Sequence, residues 1–254
     1  MKSFAYALLV LSLSATAVDA EQSIMVSSHP QQTAVVELYT SEGCSSCPPA
    51  DRWFAAMSQL SNDAVSILPL AFHVDYWDYL GWKDRFGSPR FSQRQRQLGA
   101  NNRQTTIYTP EFFVNGRESR GTAIVLEDIQ RSNGTKAAIS LQLEIRKLDK
   151  SLEVVLQADK VKLRGESLKY RIFVYESALS SDISRGENAG KQLFHENVVR
   201  FMSTGKPLRE NNLSAINISQ DWQIDNAGIA AVVTSRDDKH YIQAVHTPLK
   251  TISE

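Results

Sequence analysis

The chain has 254 residues with 28 basic and 28 acidic side chains, so its formal net charge is zero. With neither a basic excess nor a Lys/Arg block, the sequence gives no electrostatic reason to expect a nucleic-acid partner. Its hydrophobic content of 42% is ordinary for a globular protein, and its length suits one large domain or two small ones.

The first twenty residues have the pattern of a secretory signal peptide: Lys2 gives a basic start, an apolar run extends from Phe4 to Leu13, and small residues lead to Ala20. The apolar run is shorter than the ~20 residues that span a bilayer, so we expect cleavage after Ala20 rather than a retained anchor. The mature chain is then predicted to be secreted or periplasmic, with no membrane span after cleavage. Residues 21–32 would form an N-terminal extension.

The two cysteines of the chain, Cys44 and Cys47, lie in the stretch GCSSCPPAD. Disulfides persist outside the cytosol, but one that closes so short a loop stabilises a fold by only ~2 kcal/mol. Tight CxxC pairs more typically switch between dithiol and disulfide. The sequence therefore predicts a redox-active pair.

The segments on either side of the cysteines predict where the pair lies. Residues 33–40 are β-branched and apolar, which predicts a buried strand. Apolar residues at helical spacing predict a helix over residues 50–60, with Pro48 and Pro49 in its first turn. The Pro48 ring would crowd the carbonyl group of Cys44, so Cys44 must lie at or just before the helix start. There the helix field stabilises a thiolate, which makes Cys44 the expected nucleophile.

The segments that follow alternate between strand and helix. Ser88 and Pro89 suit the N-cap and first residue of a helix, and Asn115–Gly116 favours a hairpin turn. The predicted elements are a strand over residues 64–74, a helix over 89–99, strands over 111–114 and 117–121, and a helix over 123–132. The whole order is β-α-β-α-β-β-α.

This order resembles a thioredoxin fold, YTSEGCSSC is similar to the strand-to-CxxC passage of glutaredoxins, and TPEFFVNG resembles the thioredoxin segment that contains a cis-proline. The longer strings GCSSCPPAD, FHVDYWDYLGW, YTPEFFVNG and GENAGKQLFHENVVR resemble an uncharacterised family of secreted thioredoxin-like proteins, domain of unknown function 1223. The resemblance implies a thioredoxin-like domain over residues 33–134, with Pro110 as a cis-proline packed against the CxxC. Ser45 and Ser46 replace the Gly-Pro of thioredoxin, which leaves the redox potential open.

Two candidate acid–base residues lie on the strands that lead to the cysteines. A buried carboxylate needs a partner, so Glu37 is either the proton acceptor of Cys47 or one half of a structural ion pair. His73 either holds Cys44 as a thiolate, or ligates a metal, or is a hydrogen-bonded histidine at a strand end. Asp75 is a candidate to orient the imidazole ring.

Residues 76–86 carry five aromatic side chains. They form either an apolar rim that binds an extended substrate or internal packing. Thr109, which precedes Pro110, and the aromatic residues Tyr76 and Trp77 are the candidate substrate-binding residues.

The second half, residues 135–254, alternates apolar and polar residues over about seven short strands, which predicts an all-β, sandwich-like domain. The polar segment 184–200 either faces the dithiol or a partner, or forms a structured loop at a domain interface. Its candidate residues are Glu187, Asn188, His195 and Asn197.

The leading functional hypothesis is an exported thiol–disulfide oxidoreductase that needs no cofactor and acts on protein thiols or disulfides. Cys44 exchanges with the substrate, Cys47 resolves, and Pro110 shapes the groove. Two alternatives stay open. A CxxC with His73 is suited to carrying a soft metal such as Cu(I), although no metal ligand set is assigned. The pair could also be an inert disulfide in a binding protein.

Overall fold

Strands are the commonest regular element among the described residues, and the α-helices found there lie in the first half. The computed structural model describes residues 23–62, 65–159 and 167–250. Their first half contains β1 (Ser23–Ser27), β2 (Ala34–Thr40), α1 (Cys47–Ala55), β3 (Ile67–His73), α2 (Pro89–Asn101), β4 (Glu111–Val114), β5 (Arg117–Glu118) and α3 (Thr122–Asn133). The second half contains β6 (Leu141–Lys147), β7 (Ser151–Ala158), β8 (Leu168–Glu176), β9 (Leu179–Asp182), β10 (Gln192–His195), β11 (Val198–Met202), β12 (Lys206–Pro207), β13 (Asn211–Asn217), β14 (Ala227–Ser235) and β15 (Tyr241–Pro248). The predicted signal peptide, residues 1–20, lies outside the described residues.

One sheet runs through both halves of the chain. Its strand order is β15-β14-β8-β11-β3-β2-β4-β5, and β12 also pairs with β8. β3 pairs in parallel with both β2 and β11, while β4 is antiparallel to β2. The predicted division into residues 33–134 and 135–254 therefore stays a prediction, and the sheet itself crosses that boundary.

Pro69 lies in β3, which is an interior strand rather than the sheet edge where proline is expected. The Ala71 N–H donates to the Asn197 carbonyl of the β11 side at 2.8 Å. An N–H at residue 69 would point to the same neighbour, but β11 meets β3 at Ala71, two residues further on. The missing N–H of Pro69 therefore falls outside the described β11–β3 pairing.

The helices of the first half pack on opposite faces of the sheet because successive strand residues point to opposite sides. Val36 and Leu38 of β2 share a core with Phe54 of α1 and with α3 residues. Val35 and Tyr39 share another with residues of α2. Odd-numbered residues of β2, including Glu37, therefore face α2, and even-numbered ones face α1.

A second sheet, with strand order β1-β6-β7-β13, covers the β8–β14–β15 part of the first. Its inward side chains, such as Leu143 and Val154, share a core with Ile172 and Ile229. Strand β1 pairs with β6, so the predicted N-terminal extension supplies an edge strand. In this half of the described chain two sheets therefore share one core. The sandwich-like domain stays a prediction.

Candidate functional site: the Cys44–Cys47 loop

The two cysteines form a disulfide, with their Cα atoms 5.4 Å apart. Helix α1 begins at Cys47, with Pro48 and Pro49 in its first turn, so it starts earlier than the predicted residue 50. Cys44 precedes the helix, as the proline argument requires, and lies near the unpaired N–H groups of the helix start. Cys44 is 5% exposed and Cys47 is 0% exposed, so Cys44 is the more accessible of the two.

The Thr109–Pro110 segment lies against the disulfide. The peptide bond between these residues is cis, as the resemblance implies. Cys44 Sγ lies 3.8 Å from the Thr109 carbonyl oxygen. Trp77 Nε1 donates a hydrogen bond to Thr109 Oγ1 at 2.7 Å, and a Cβ on Gly43 would lie 3.3 Å from Trp77. The structure thus brings together four of the residues singled out from the sequence: Cys44, Trp77, Thr109 and Pro110.

The aromatic segment is part packing and part surface. Tyr76 is half-buried and its hydroxyl donates to Gln95 Oε1 at 3.1 Å. Burial raises the pKa of Tyr76 to about 12, so the phenol keeps its proton. Tyr79 is 76% exposed, and its ring lies 6.2 Å from that of Trp77. Trp77 therefore lies beside the cysteine loop, and Tyr79 extends from it into solvent.

Glu37 is placed away from the cysteines. Its carboxylate is buried and accepts hydrogen bonds from Arg94 Nε at 2.8 Å and Arg94 Nη2 at 2.7 Å, and from the hydroxyls of Tyr39 and Tyr241. Burial raises the pKa of Glu37, but the charge of Arg94 and the hydrogen bonds from Arg94, Tyr241 and Tyr39 together lower it below its ordinary value. Because Glu37 faces α2 while Cys47 begins α1 on the other face, its contacts support the structural ion pair and not a proton acceptor for Cys47.

His73 is hydrogen-bonded at the end of β3, but its partner is Asp84 and not Asp75. His73 Nδ1 lies 2.7 Å from Asp84 Oδ2, and both side chains are buried. Burial disfavours the imidazolium, yet the Asp84 carboxylate raises the pKa of His73 above its usual value. Asp75 instead accepts from the Ser92 hydroxyl, because the strand ends at His73 and alternation no longer fixes where residue 75 points.

The His73–Asp84 pair belongs to a buried polar cluster behind the disulfide, formed by Glu42, His73, Asp84 and His195. Glu42 precedes the cysteines in the loop after β2, and its Oε1 lies 3.1 Å from His195 Nε2. The two imidazole rings are 4.9 Å apart. His73 Nε2 and His195 Nδ1 are buried and have no hydrogen-bond partner among the described residues. Segment 184–200 therefore contributes to the site through His195.

The loop between β9 and β10 contacts the cysteine loop directly. The Asn188 side-chain amide is fully buried and donates to the carbonyl oxygens of Glu42 at 2.9 Å and Cys44 at 3.0 Å. Glu187 Oε2 accepts the Ser45 N–H at 3.0 Å. Segment 184–200 is therefore a structured loop that also contacts the cysteine loop, as both interpretations of the sequence allow. Asn197 instead has positive φ and separates β10 from β11.

Besides Glu42 and Asp84 of the buried cluster, sequence reasoning missed Asp51 and Glu111. Asp51 lies one helical turn after Cys47, and burial raises its pKa more than nearby His73 lowers it. Glu111 directly follows Pro110, and burial raises its pKa to about 7. The i, i+4 spacing from Cys47 is a signal that could have identified Asp51. Glu111 reads as an ordinary polar residue at a strand start, and nothing local marks it as buried.

The comparison with protein families gives one match, which extends over residues 35–234 and thus covers most of the chain. The matching family is described as "Protein of unknown function (DUF1223)". The chain belongs to the DUF1223 family. This confirms the resemblance drawn from the four sequence strings. The comparison of this DUF1223 chain with curated proteins gave no significant match.

Two solved structures resemble the DUF1223 chain over most of its length. A structural-genomics protein of Agrobacterium tumefaciens has 23% sequence identity and a TM-score of 0.62, with 85% of this chain and 94% of that chain covered. HBP35 of Porphyromonas gingivalis has 18% identity and a TM-score of 0.66, with 86% of this chain and 76% of that chain covered. At these identities the similarity shows a shared fold and nothing more.

Among the described residues, no helix has the length and apolar character needed to cross a membrane. Over the same ranges, no group of three or more His, Cys, Asp or Glu side chains is arranged to hold a metal ion.

Proposed function

We propose that this DUF1223 protein is a thiol–disulfide oxidoreductase of an exported compartment. One observation carries the proposal: the Cys44–Cys47 disulfide lies at the start of α1, with Cys44 Sγ 3.8 Å from the carbonyl oxygen of Thr109. A disulfide that closes so short a loop adds little stability, so a chemical role explains it better than a structural one. The helix start beside Cys44 supplies the field that a reactive thiolate needs.

We propose further that the part of the sheet around the disulfide is thioredoxin-like. In support, β2 and β3 are parallel and β4 is antiparallel to β2, so the ends nearest the cysteines lie at one edge. Helices α1 and α3 share one core with β2, and α2 shares another on the opposite face. The cis Thr109–Pro110 bond precedes β4, where the resemblance expects it.

The proposed reaction is a two-electron exchange between two dithiol–disulfide pairs. A substrate thiolate attacks Cys44 Sγ, the Cys44–Cys47 bond breaks, and Cys47 leaves as a thiolate and takes up a proton. The second thiol of the substrate loses its proton and attacks the mixed disulfide, which releases Cys44 as a thiolate. The substrate is then oxidised and the Cys44–Cys47 pair is reduced. The reverse sequence reduces a substrate disulfide, and the two potentials set the direction.

The proposed substrates are thiols or disulfides of proteins in the exported compartment. The half-buried rings of Tyr76 and Trp77 and the exposed ring of Tyr79 form an apolar surface beside Cys44 that is suited to an extended polypeptide. No cofactor is required, because the substrate's own sulfur atoms supply or accept the electrons. The signal-like pattern of residues 1–20 supports the exported location.

Single replacements of the cysteines test the proposal. Cys47→Ser removes the resolving thiol, so we expect it to accumulate mixed disulfides through Cys44. Cys44→Ser should trap almost nothing. The variants would be expressed with export, and their adducts separated on diagonal non-reducing gels and identified by mass spectrometry. The double variant Cys44→Ser/Cys47→Ser is the control for background. Equal trapping by both single variants, or by neither, contradicts the proposal and favours an inert disulfide.

A further inference from the structure

The Glu187 carboxylate binds the backbone between the two cysteines. Its Oε2 accepts the N–H of Ser45, the residue that follows Cys44, at 3.0 Å. The neighbouring Asn188 anchors the loop, because its buried amide donates to the carbonyl oxygens of Glu42 and Cys44. In the disulfide form, a negative charge from the second half of the chain is therefore held beside the start of α1.

We propose that Glu187 is a positioning residue that stabilises the Cys44–Cys47 disulfide relative to the Cys44 thiolate. In the disulfide Cys44 is uncharged, so the Glu187 carboxylate accepts the Ser45 N–H with no negative charge on the neighbouring sulfur atom. A reducing dithiol gives two electrons to the pair and becomes a disulfide itself, while the Cys44–Cys47 bond breaks. Of the two protons of the dithiol, one goes to Cys47, which becomes a thiol, and one goes to solvent, so Cys44 is left as a thiolate. The Cys44 thiolate and the Glu187 carboxylate, bound to the N–H of the next residue, are then two neighbouring anions that repel each other. The inference rests on the proposed role of Cys44 as the reactive thiolate.

The loop combines a buried residue that fixes its backbone, Asn188, with an exposed side chain, that of Glu187. Asn188 is 0% exposed, and its Oδ1 accepts from Lys191 Nζ at 2.9 Å, so this cation is engaged by Asn188. Glu187 is exposed to solvent. Gly186 has a φ of 76°, and a Cβ there would lie 3.1 Å from Trp82, so the backbone of the loop approaches the aromatic segment closely. The Glu187 side chain can leave Ser45 without disturbing the Asn188 anchor.

The coupling is reciprocal. In the disulfide form, hydrogen bonds from the Ser45 side chain and backbone lower the pKa of Glu187. A thiolate at Cys44 must weaken this effect to the same extent that Glu187 disfavours the thiolate. Because Glu187 is exposed, the interaction is screened by salt. A purely structural role for Glu187 would not depend on ionic strength in this way.

The test is Glu187→Gln, which removes the charge and keeps an oxygen that can accept the Ser45 N–H. Two quantities are measured on the purified full chain: the equilibrium constant for reduction by dithiothreitol, and the alkylation rate of Cys44 against pH in the reduced protein. We expect reduction to become about three- to tenfold more favourable, which is ~15–30 mV in potential. The midpoint of Cys44 alkylation should fall by a corresponding ~0.5–1 pH unit.

Glu127→Gln is the matched control, because it makes the same change of charge at an exposed position on α3. Glu187→Ala should reproduce the effect of Glu187→Gln if the charge acts, and the difference from wild type should shrink in 1 M NaCl. The proposal is overturned if Glu187→Gln behaves like Glu127→Gln, or if its shift is unchanged in 1 M NaCl. Both measurements use the isolated protein, so this inference and the trapping experiment can fail independently.

Discussion

Glu111 is a buried carboxyl group directly beyond the cis-proline of the dithiol site. Its oxygens accept hydrogen bonds from Gln95 Nε2 at 2.6 Å and Gln104 Nε2 at 2.7 Å, and no cation binds it among the described residues. Burial raises its pKa to about 7, from an ordinary value of 4.5. Between these two pH values the folded protein holds a proton that the unfolded chain has lost. The contribution of Glu111 to stability is therefore full below pH 4.5 and declines as the pH rises through 7.

We predict that Glu111→Gln removes this decline. The free energy of unfolding of the wild type should lose about 2–3 kcal/mol between pH 4.5 and pH 8 through this group, and the variant should lose that much less. Urea unfolding at a series of pH values measures both proteins. Parallel profiles for wild type and variant over this range would show that Glu111 does not titrate as described.

At the residue scale, sequence reasoning succeeded where a short local pattern fixes the geometry. CxxC followed by two prolines placed Cys44 before the helix, and TPEFFVNG indicated the cis bond at Pro110. It failed where the partner of a residue is remote. Whether Glu37 faces the cysteines or an ion pair depends on Arg94, 57 positions later, and on Tyr241, 204 positions later. No local pattern contains either of them.

The Glu37–Arg94 pair links β2 to α2. Arg94 also donates to the Tyr241 hydroxyl at 2.8 Å, which connects the same helix to β15. The pair is buried, with side chains 1% and 5% exposed. Removing one charge leaves the other buried without compensation, which costs about 3–5 kcal/mol in buried pairs.

We predict that Glu37→Gln lowers the free energy of unfolding by about 3 kcal/mol at neutral pH while the Cys44 alkylation profile stays unchanged. Because the pKa of Glu37 is lowered in the folded state, its stabilisation is present above pH 4.5 and is lost as the pH falls through the folded value. In the variant, the free energy of unfolding should not show this loss at low pH.

Glu144→Gln, in a partly exposed pair with Arg146, is the control, and it should lower the free energy of unfolding by less than ~1 kcal/mol. A shifted alkylation profile in Glu37→Gln would instead favour the proton-acceptor role.

Element boundaries were predictable where capping residues mark them. The Ser88 hydroxyl accepts the Arg90 N–H at the start of α2, and Pro89 is its first residue, as predicted. The break between β10 and β11 was not predicted, because LFHENVVRFMS reads as one apolar-polar segment. Asn197 has a φ of 55° there, in the left-handed region. Asparagine tolerates this conformation, but its presence in a sequence does not indicate that it adopts it.

At the scale of the whole molecule, the first half of the chain depends on the second for packing. Phe72 of β3 contacts Phe173 of β8 edge-on, with ring centroids 6.1 Å apart. Val199 of β11 and Tyr241 of β15 share the same core. Removing the second half would expose this face and leave β3 as an unpaired sheet edge, which favours aggregation.

We therefore predict that residues 33–134 expressed alone do not fold cooperatively. Circular dichroism during heating should show no sharp transition, and sedimentation should show aggregates. Adding residues 135–254 as a separate chain should restore the transition that the full chain shows. A fragment 33–134 that unfolds in a single cooperative step would establish an autonomous domain, as the sequence boundary implies.

The overall pairing of strands was beyond the reach of the sequence pattern. Alternation identified strands in both halves, but it does not say which strand lies beside which. Within the large sheet, β3 of the first half pairs with β11 of the second half at Ala71 and Val198. Both are small or β-branched apolar residues that any buried strand could contain. Pairings between positions so far apart are selected by packing of the whole core, which no window of sequence contains.

The Asn188 contact has a consequence for the order in which the site is completed. Asn188 lies 144 positions beyond Cys44 in the chain, and Glu187 immediately precedes it. A polypeptide made from its N-terminus presents both cysteines well before this loop is available, and domains fold in that same order during synthesis. The nascent pair therefore lacks the amide that holds the Cys44 carbonyl and the carboxylate that binds Ser45. The two cysteines thus have different surroundings on the emerging chain and in the finished protein.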